Sequence, residues 1–547
     1  MKSNFLFVFL LLLCNVSFAQ DHHHIFDRQD TLRGSITEER AWWDLEHYQL
    51  MVEVNTESKS LNGWNKVSFK VLESHNKMQI DLQEPMQINS VEYNGEDLSY
   101  VRDGNVYYIM FQDSLLEGTH HKIKINYEGQ PTVAVNPPWD GGLTWTTDNN
   151  KKDFIATSCQ GEGASMWWPC KDHMYDEPDS MLINIKTPIG LMDVSNGRLR
   201  NVELHADSTK TYTWAVVNPI NNYGVNINIG DYVTWSEKYP GEKDSLDCSY
   251  YVLRDNLEKA QEQFKQVPMM LEAFEYWFGP YPFYEDGYKL VEVPYLGMEH
   301  QSSVTYGNKY QNGYLGRDLS GTGWGDEFDF IIIHESGHEW FANNVTYKDM
   351  ADMWIHESFT AYSENLYLDY HFGKEASAEY VIGTRRAVSN DEPIISHYDV
   401  NSSGSGDMYY KGANMLHTIR AIIQDDEKWR SILRGINKTF YHKTVTTEEI
   451  ENYLIEESGL DLQSIFDQYL RTTMIPTLEY YTKNDKLYYR WSNCVPHFKC
   501  PAELLSGDVS LLVYPTIEWD NIEISTLDKK WKLKEDYYAE MKRVSKK

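Results

Sequence analysis

The stretch HESGHEWFANNVTYKDMADMWIHESFTAYSE, residues 334–364, decides how this chain folds around a reactive site. His334 and His338 are four positions apart, so on a helix both imidazoles project from one face and can bind the same metal ion. Glu335 follows the first histidine, and that offset leaves its carboxylate beside the metal as a base rather than as a ligand. The pattern predicts a zinc hydrolase.

A catalytic zinc needs three protein ligands and one open position, so a third ligand must lie outside HESGH. Glu357 is the candidate, because the apolar residues around it predict a second helix. Residues 328–333 predict a buried start for the first helix, and Asn343 with Asn344 predicts where it stops. Two helices can therefore meet over one ion.

Two other interpretations of HESGH have to be considered. The motif could arise by chance on a surface helix with solvated histidines, but the apolar run before it argues for a buried helix. The metzincin class of zinc enzymes is excluded, because its pattern requires glycine and histidine where this chain has Phe341 and Asn344.

Eighteen residues separate His338 from Glu357, and the second helix reads WIHESFTAYSE. This arrangement resembles the HExxH, eighteen residues, Glu pattern of the aminopeptidase N family of gluzincin metallopeptidases, which includes the leukotriene hydrolases. The resemblance implies one zinc ion per chain, held by His334, His338 and Glu357. His356 is a rival ligand, but consecutive helix residues point about 100° apart and the family pattern selects the glutamate.

A segment upstream of the zinc motif, VEVPYLGMEHQSSVTYG, residues 291–307, resembles the family's GxMEN segment on an edge strand beside the metal. Met298 and Glu299 match that segment, whereas Leu296 replaces its first glycine and His300 replaces its asparagine. The resemblance assigns Gly297, Met298 and Glu299 to substrate binding.

Two further segments resemble the same family. SCQGEGASMWWPCKD, residues 158–172, resembles the segment that ends in PCxD, and Gln160 falls where the family places a Gln or Glu that helps hold the substrate amine. Residues 409–412 fit the family pattern YxKG, which makes Tyr409 the catalytic tyrosine. Each match alone carries little weight, but together they follow the family order over most of the chain.

The resemblance implies a zinc aminopeptidase that removes residues one at a time from peptides with a free N-terminus. Glu335 would be the base, Tyr409 would donate a hydrogen bond to the developing oxyanion, and Glu299 with Gln160 would hold the α-ammonium. A zinc endopeptidase, an epoxide hydrolase of the leukotriene type and a non-catalytic peptide-binding relative remain alternatives. The match around Glu299 disfavours the first, and the intact Glu335 disfavours the last.

Composition predicts an exported protein of several domains. The first 19 residues have a basic start, an apolar core and small residues before a cut, which predicts a signal peptide and a periplasmic or extracellular location. No later stretch has the eighteen or more consecutive apolar residues that a transmembrane helix needs. Leu13, which precedes Cys14, disfavours a lipid anchor on that cysteine. The net charge of −32 argues against nucleic acid or anionic membrane as a partner.

The remaining cysteines are too few for a disulfide scaffold in a chain of 547 residues. Cys494 and Cys500 flank a short loop, and Cys159 and Cys170 bracket the Gln160 segment. Cys494 and Cys500 could close their loop as a disulfide in an oxidising compartment. Cys159 and Cys170 could also be bridged, and for that pair free buried thiols are an equal alternative.

Hydrophobic periodicity predicts a multidomain α+β fold. Short segments in which apolar and polar residues alternate predict an all-β N-terminal domain over 20–240, and helical patterns then dominate over 241–475. The family resemblance implies that this second region is a thermolysin-like α/β zinc catalytic domain. The alternation of apolar and polar residues returns in 476–547, which predicts a small β-sandwich-like domain. The large helical C-terminal domain of many relatives is expected to be missing, which would leave the active site more open.

Overall fold

The structure is a computed structural model that describes residues 26–524 and 530–545. The predicted signal peptide, residues 1–19, lies outside the described residues. Among the helices that the structure describes, none has the length and apolarity needed to cross a membrane.

The N-terminal region consists of β-strands, as the alternating pattern predicts. In the strand Trp43–Asn55, side chains are buried at every second position from Tyr48 to Val54, because successive side chains of a strand point to opposite faces. This strand lies in the middle of the largest sheet. In spatial order that sheet contains Arg198–Leu204, Thr209–Val216, Ser180–Pro188, Trp43–Asn55, Ser60–Val71, His120–Gly129, Gln87–Tyr93 and Glu96–Asp97.

Two smaller sheets complete this region and share its core. One contains His75–Asp81, Val106–Leu115 and Ser99–Asp103, and the other contains Met192–Val194, Asn228–Gly230, Asp153–Ser158 and Gly142–Thr147. Two short helices, Arg28–Gly34 and Glu38–Ala41, precede the first strand. The strand Asp153–Ser158 runs directly into the segment that carries Gln160.

The middle of the chain combines one sheet with most of the helices. The sheet has the order Tyr232–Pro240, Ser245–Leu253, Tyr288–Glu292, Val304–Tyr306 and Gly297–Met298, so Gly297 and Met298 lie on its edge. The α-helices of this region are Leu257–Gln263, Gln266–Phe278, Phe330–Gly337, Trp354–Phe372, Lys374–Gly383, Tyr410–Ile423, Asp426–Thr439, Thr447–Ser458 and Gln463–Arg471. Two further short strands, Val345–Tyr347 and Lys443–Val445, pair in parallel.

The strand Tyr232–Pro240 lies just before the expected division of the chain at residue 240. It pairs along its whole length with Ser245–Leu253 and therefore belongs to the sheet that carries Met298. Alternation identifies a strand but not its partner, which is why the sequence alone placed it in the preceding domain. We propose that the N-terminal domain ends just before Tyr232.

The C-terminal strands form two small sheets, in line with the expected β-rich end of the chain. One contains Asp520–Glu523, Lys486–Ser492, Thr477–Lys483 and Glu540–Arg543, and the other contains Val509–Val513, Ala502–Ser506 and Lys532–Leu533. Their buried residues, among them Trp491 and Phe498, join the same hydrophobic cluster as the helices of the middle region. The multidomain α+β class predicted from periodicity is confirmed.

Candidate active site

The first helix of the site begins where the sequence predicts a buried start. Asp329 caps the helix Phe330–Gly337 by accepting hydrogen bonds from the backbone N–H groups of Ile331 and Ile332. The isoleucine side chains are buried, so the face that carries His334 points into the protein. The regular helix ends earlier than Asn343, because Phe341 and Ala342 leave helical geometry in the wide turn Glu339–Asn344.

The second helix, Trp354–Phe372, crosses the first helix at close range. A Cβ atom placed on Gly337 would lie 2.6 Å from Oγ of Ser363. A larger residue there would displace the Ser363 side chain, so glycine between the two histidines helps the helices approach closely enough to bring Glu357 to His334 and His338.

Three ligand atoms converge at this crossing. Oε2 of Glu357 lies 3.8 Å from Nε2 of His334 and 3.5 Å from Nε2 of His338, and the ligand atoms of all three residues lie within 4.8 Å of one another. Oε2 of Glu357 is buried and has no hydrogen-bond partner. An orphaned carboxylate oxygen beside two imidazole nitrogens is the donor set that zinc prefers, so these residues fit a zinc ion.

The other ring nitrogen of each histidine is already engaged, which directs Nε2 toward the metal position. Nδ1 of His334 lies 2.8 Å from Oε1 of Glu364. Nδ1 of His338 lies 3.0 Å from the carbonyl oxygen of Phe341 and 3.0 Å from Oγ1 of Thr360. A carboxylate or carbonyl that accepts from Nδ1 fixes the ring and raises the basicity of the ligating nitrogen.

The rival ligand His356 lies on a different side of the same helix. Its Nε2 accepts a hydrogen bond from the backbone N–H of Tyr347 at 2.9 Å. Its ring therefore binds the short strand Val345–Tyr347, and His356 is not among the residues whose ligand atoms converge with those of Glu357.

Glu335 lies in the wall of the cavity that contains the three converging residues. The cavity has a volume of about 500 Å³ and is also lined by Gln160, Glu299 and Tyr409. Burial raises the pKa of Glu335 to about 7, with His334 opposing the shift and Glu299 adding to it. A carboxyl group with a pKa in this range can take up and release a proton near neutral pH.

Gln160 joins the two sides of the cavity although it is distant in sequence from both. Its Nε2 donates hydrogen bonds to Oε1 of Glu299 at 2.6 Å and to Oε1 of Glu357 at 2.9 Å. Two carboxylate acceptors fix the orientation of the amide, because only the nitrogen can donate to them. Its Oε1 therefore remains as an acceptor for a ligand in the cavity.

Glu299 is buried, and its neighbours hold both its side chain and its backbone. The Tyr223 hydroxyl donates to Oε1 of Glu299 at 3.0 Å, and Nδ2 of Asn343 donates to the Glu299 carbonyl at 2.8 Å. Burial raises the pKa of the Glu299 carboxyl, while His338 opposes this shift. His300, which stands where the family pattern has asparagine, is also buried, and burial lowers its pKa to about 3.

Gly297 and Met298 form the edge strand beside the first zinc helix, as the sequence predicts. A Cβ atom on Gly297 would lie 2.7 Å from Cγ2 of Ile331 and 3.2 Å from Cγ of Glu335. The absence of a side chain thus lets the backbone that leads to Glu299 pass directly over Glu335. Met298 is buried and lines the same cavity.

Tyr409 precedes the helix Tyr410–Ile423, and its ring lies 6.1 Å from the ring of His334. Burial raises the pKa of Tyr409, and the carboxylates of Glu357, Glu299 and Glu335 raise it further, so the hydroxyl stays protonated and can donate. Gly412, in the first turn of this helix, helps to place Tyr409. A Cβ atom on Gly412 would lie 1.8 Å from Oγ of Ser358, so glycine lets the start of the helix pack directly on the helix that carries Glu357.

Two residues at the site were not identified from the sequence. Glu364 binds His334 and also accepts a 2.6 Å hydrogen bond from the Tyr380 hydroxyl. Tyr223 binds Glu299 from the end of the N-terminal β region. A sequence signal existed for Glu364, which lies seven residues after Glu357 and hence about two turns further along one helix.

The cysteines of the described region are free thiols, so the structure contains neither of the two disulfides considered from the sequence. Cys159 and Cys170 are buried, and burial raises the pKa of Cys159 to about 12. The segment around Gln160 is therefore held by packing and hydrogen bonds.

Comparison with protein-family models identifies the class of protein to which this site belongs. The Peptidase M1 N-terminal domain matches residues 45–223, and the Peptidase family M1 domain matches residues 262–469. Together the two matches cover more than half of the chain. The chain belongs to peptidase family M1, which implies a catalytic zinc and confirms the family resemblance found in the sequence.

Individual relatives are distant. Aminopeptidase N of Lactobacillus helveticus is 23% identical over 80% of this chain, and endoplasmic reticulum aminopeptidase 1 of Mus musculus is 23% identical over 75% of it. The chain spans only 52% and 45% of the lengths of these two relatives. The M1 zinc metallopeptidase of Deinococcus radiodurans has the same fold, with a TM-score of 0.68, 19% identity, and 80% of this chain and 95% of that chain covered.

Proposed function

We propose that this protein is a zinc-dependent aminopeptidase that removes N-terminal residues from peptides. The observation that carries the proposal is the convergence of His334, His338 and Glu357 next to the pair Gln160 and Glu299. Acceptors for an ammonium group next to a metal site would hold the free N-terminus of a peptide so that its first peptide bond lies at the metal.

Zinc held by His334, His338 and Glu357 would act as a Lewis acid toward the scissile carbonyl and would acidify the attacking water. Glu335 would accept the proton of that water and later deliver it to the leaving amine. Burial raises the pKa of Glu335 above the usual range of a carboxyl group, which suits a group that must both take up and release a proton.

Glu299 and Gln160 would measure the distance from the chain end to the reacting carbonyl. The Glu299 carboxylate would pair with the α-ammonium, and the free Oε1 of Gln160 would accept a further hydrogen bond from it. An acetylated N-terminus has no charge and fewer donors, so its burial against Glu299 would leave the carboxylate without a cation.

The Tyr409 hydroxyl would donate a hydrogen bond to the carbonyl oxygen as negative charge develops there. Such a donor acts mainly in the transition state, so it contributes to kcat more than to substrate binding. The close packing of Gly412 on Ser358 supports this role, because it fixes the start of the tyrosine's helix against the helix of Glu357.

Short peptides and aminoacyl amides are the substrates we propose. A mutant of the Deinococcus radiodurans enzyme has been solved bound to a Tyr-Ser-Ala substrate, which fits a peptide of this size. We also propose that the protein is exported to the periplasm or the extracellular space, on the strength of the signal-like residues 1–19.

The test compares matched substrates on the purified protein. Aminoacyl amides with a free amine should be hydrolysed, their N-acetylated forms should be nearly inert, and a chelator should abolish turnover that added zinc restores. Equal turnover of free and acetylated substrates would instead identify an endopeptidase. Full activity in metal-free protein would refute a zinc mechanism.

A further inference from the structure

The helix Arg28–Gly34 lies outside both family matches but contacts the region of the active site. On one side, the backbone N–H of Asn401 donates to the carbonyl of Asp30, and a Cβ atom on Gly34 would lie 2.1 Å from the carbonyl carbon of Val400. This helix is therefore pressed against the loop that precedes Tyr409.

The residues after this helix anchor it to the N-terminal sheet. Arg40 is fully buried, and its Nη2 lies 2.7 Å from Oδ2 of Asp81. Nη1 of Arg40 also donates to the carbonyl oxygens of Arg33 and Ser35, which end the helix. The helix is thus fixed between the N-terminal sheet and the catalytic region.

Arg33 extends from this helix into the turn that follows Gln160. Its Nη2 donates a 2.8 Å hydrogen bond to the carbonyl of Gly161, and its Nε lies 3.8 Å from Oδ2 of Asp172. A Cβ atom on Gly163 would lie 2.5 Å from Nη2 of Arg33, so the guanidinium occupies the hollow of the turn.

The turn needs such support because of its own sequence. Gly161 and Gly163 both have left-handed backbone angles, with φ of +74° and +89°. Glycine permits these angles without strain, but it also permits many others, so the backbone next to Gln160 is not fixed by its local sequence. The bond from Arg33 restricts that freedom one peptide unit from Gln160.

We propose that Arg33 is a positioning residue for the substrate amine, acting through Gly161 on Gln160. This inference rests on the proposed function, because its effect is measured on substrates with a free N-terminus. Arg33 does not touch the cavity that holds His334 and Glu335, so its role is in placing Gln160 between Glu299 and Glu357.

The test replaces Arg33 and a matched arginine on the same helix. Arg33→Met keeps much of the side-chain length and deletes the donors, whereas Arg28→Ala removes only an exposed ion pair with Asp103. We expect Arg33→Met to raise KM for free aminoacyl amides about threefold to tenfold, the loss typical of one hydrogen bond, with kcat within about twofold. Arg33→Lys, which still carries a donor, should recover part of the affinity. Arg28→Ala should match wild type.

A double-mutant cycle separates positioning from general stability. If Arg33 acts through Gln160, adding Arg33→Met to Gln160→Ala should change KM by less than about twofold. Thermal unfolding and zinc content of each variant are measured alongside. Binding can also be measured without turnover, by calorimetry of a tripeptide on Glu335→Gln protein. Adding Arg33→Met to that protein should weaken tripeptide binding by the same factor as it raises KM, and only when the tripeptide has a free N-terminus.

Two results would overturn the inference. One is an Arg33→Met protein with the KM of Arg28→Ala, and the other is a loss that persists undiminished in the Gln160→Ala background. Should Arg33→Met not fold, the same comparison is made with Arg33→Lys, whose KM must then exceed that of wild type. Failure of the proposed function is distinguishable, because wild-type protein would then either hydrolyse no free aminoacyl amide or hydrolyse the acetylated form equally well.

Discussion

Replacement of Glu364 tests whether its bond to His334 contributes to zinc binding. Glu364 is fully buried, its Oε1 lies 2.8 Å from Nδ1 of His334, and its Oε2 accepts from the Tyr380 hydroxyl at 2.6 Å. Glu364→Ala would remove the acceptor that orients His334 and makes its Nε2 more basic. It would also leave the ring N–H and the Tyr380 hydroxyl without a partner.

The expected loss follows from the role of such acceptors in metal sites. Removing a residue that holds a metal ligand typically weakens metal binding by about 10- to 100-fold, or roughly 1.4–2.7 kcal/mol. The loss of zinc affinity in Glu364→Ala should lie near the upper end of this range, because two buried donors lose their partner. The loss of zinc affinity in Glu364→Gln should lie near the lower end of the range. Its amide oxygen can still accept a hydrogen bond from His334, although the negative charge is gone.

The assay is a competition titration with a chelator of known zinc affinity, which gives the dissociation constant of each variant. Tyr380→Phe is the matched control, because it removes the hydroxyl on the far oxygen of Glu364 and keeps the bond to His334. Its zinc affinity should change less than about threefold. A Glu364→Ala protein that binds zinc within about twofold of wild type would refute the reasoning.

Three substitutions in the cavity test the remaining roles. Glu335→Gln should keep the zinc and lose nearly all turnover, and a metal-free variant would show that Glu335 has been given the wrong role. Tyr409→Phe should lower kcat by about 10²- to 10³-fold with little change in substrate affinity, and an unaltered kcat would transfer the role to Tyr410. Glu299→Ala should lower kcat/KM for free aminoacyl amides by about one to two powers of ten and leave turnover of acetylated substrates no lower, because the unpaired carboxylate that disfavours them is gone. An equal loss on both substrates would mean that Glu299 supports the fold rather than the amine.

The candidate metal ligands were predictable because their geometry is mostly local. His334 and His338 are placed by the repeat of a single helix, and the apolar residues before them indicate which way that helix faces. Glu357 needed one more step, the expectation that a second helix crosses the first. Gly337 permits that crossing, but its importance is visible only when the distance to Ser363 is known.

The residues that hold the site together were less predictable, because their partners are distant in sequence. The spacing from Glu357 places Glu364 on the same helix, yet it does not reveal that Glu364 meets His334. Arg33 reaches Gly161 only because a short N-terminal helix docks between two domains, and no local pattern indicates that docking. The strand Tyr232–Pro240 is similar, since its alternation is clear but its partner strand is chosen by tertiary packing.

The charges in the cavity bear on why the proposed metal and amine sites adjoin. Glu299, Glu335 and Glu357 are all buried, and Gln160 donates to Glu299 and Glu357 from a single amide nitrogen. Burial raises the pKa of Glu299, His338 opposes this shift and Glu357 adds to it. Carboxylates this close remain ionised only if positive charge is placed among them, because burial and mutual repulsion both favour protonation. Zinc at Glu357 and an ammonium at Glu299 would supply that charge, each at a separate carboxylate, so a metal and a substrate amine can lie side by side in this cavity.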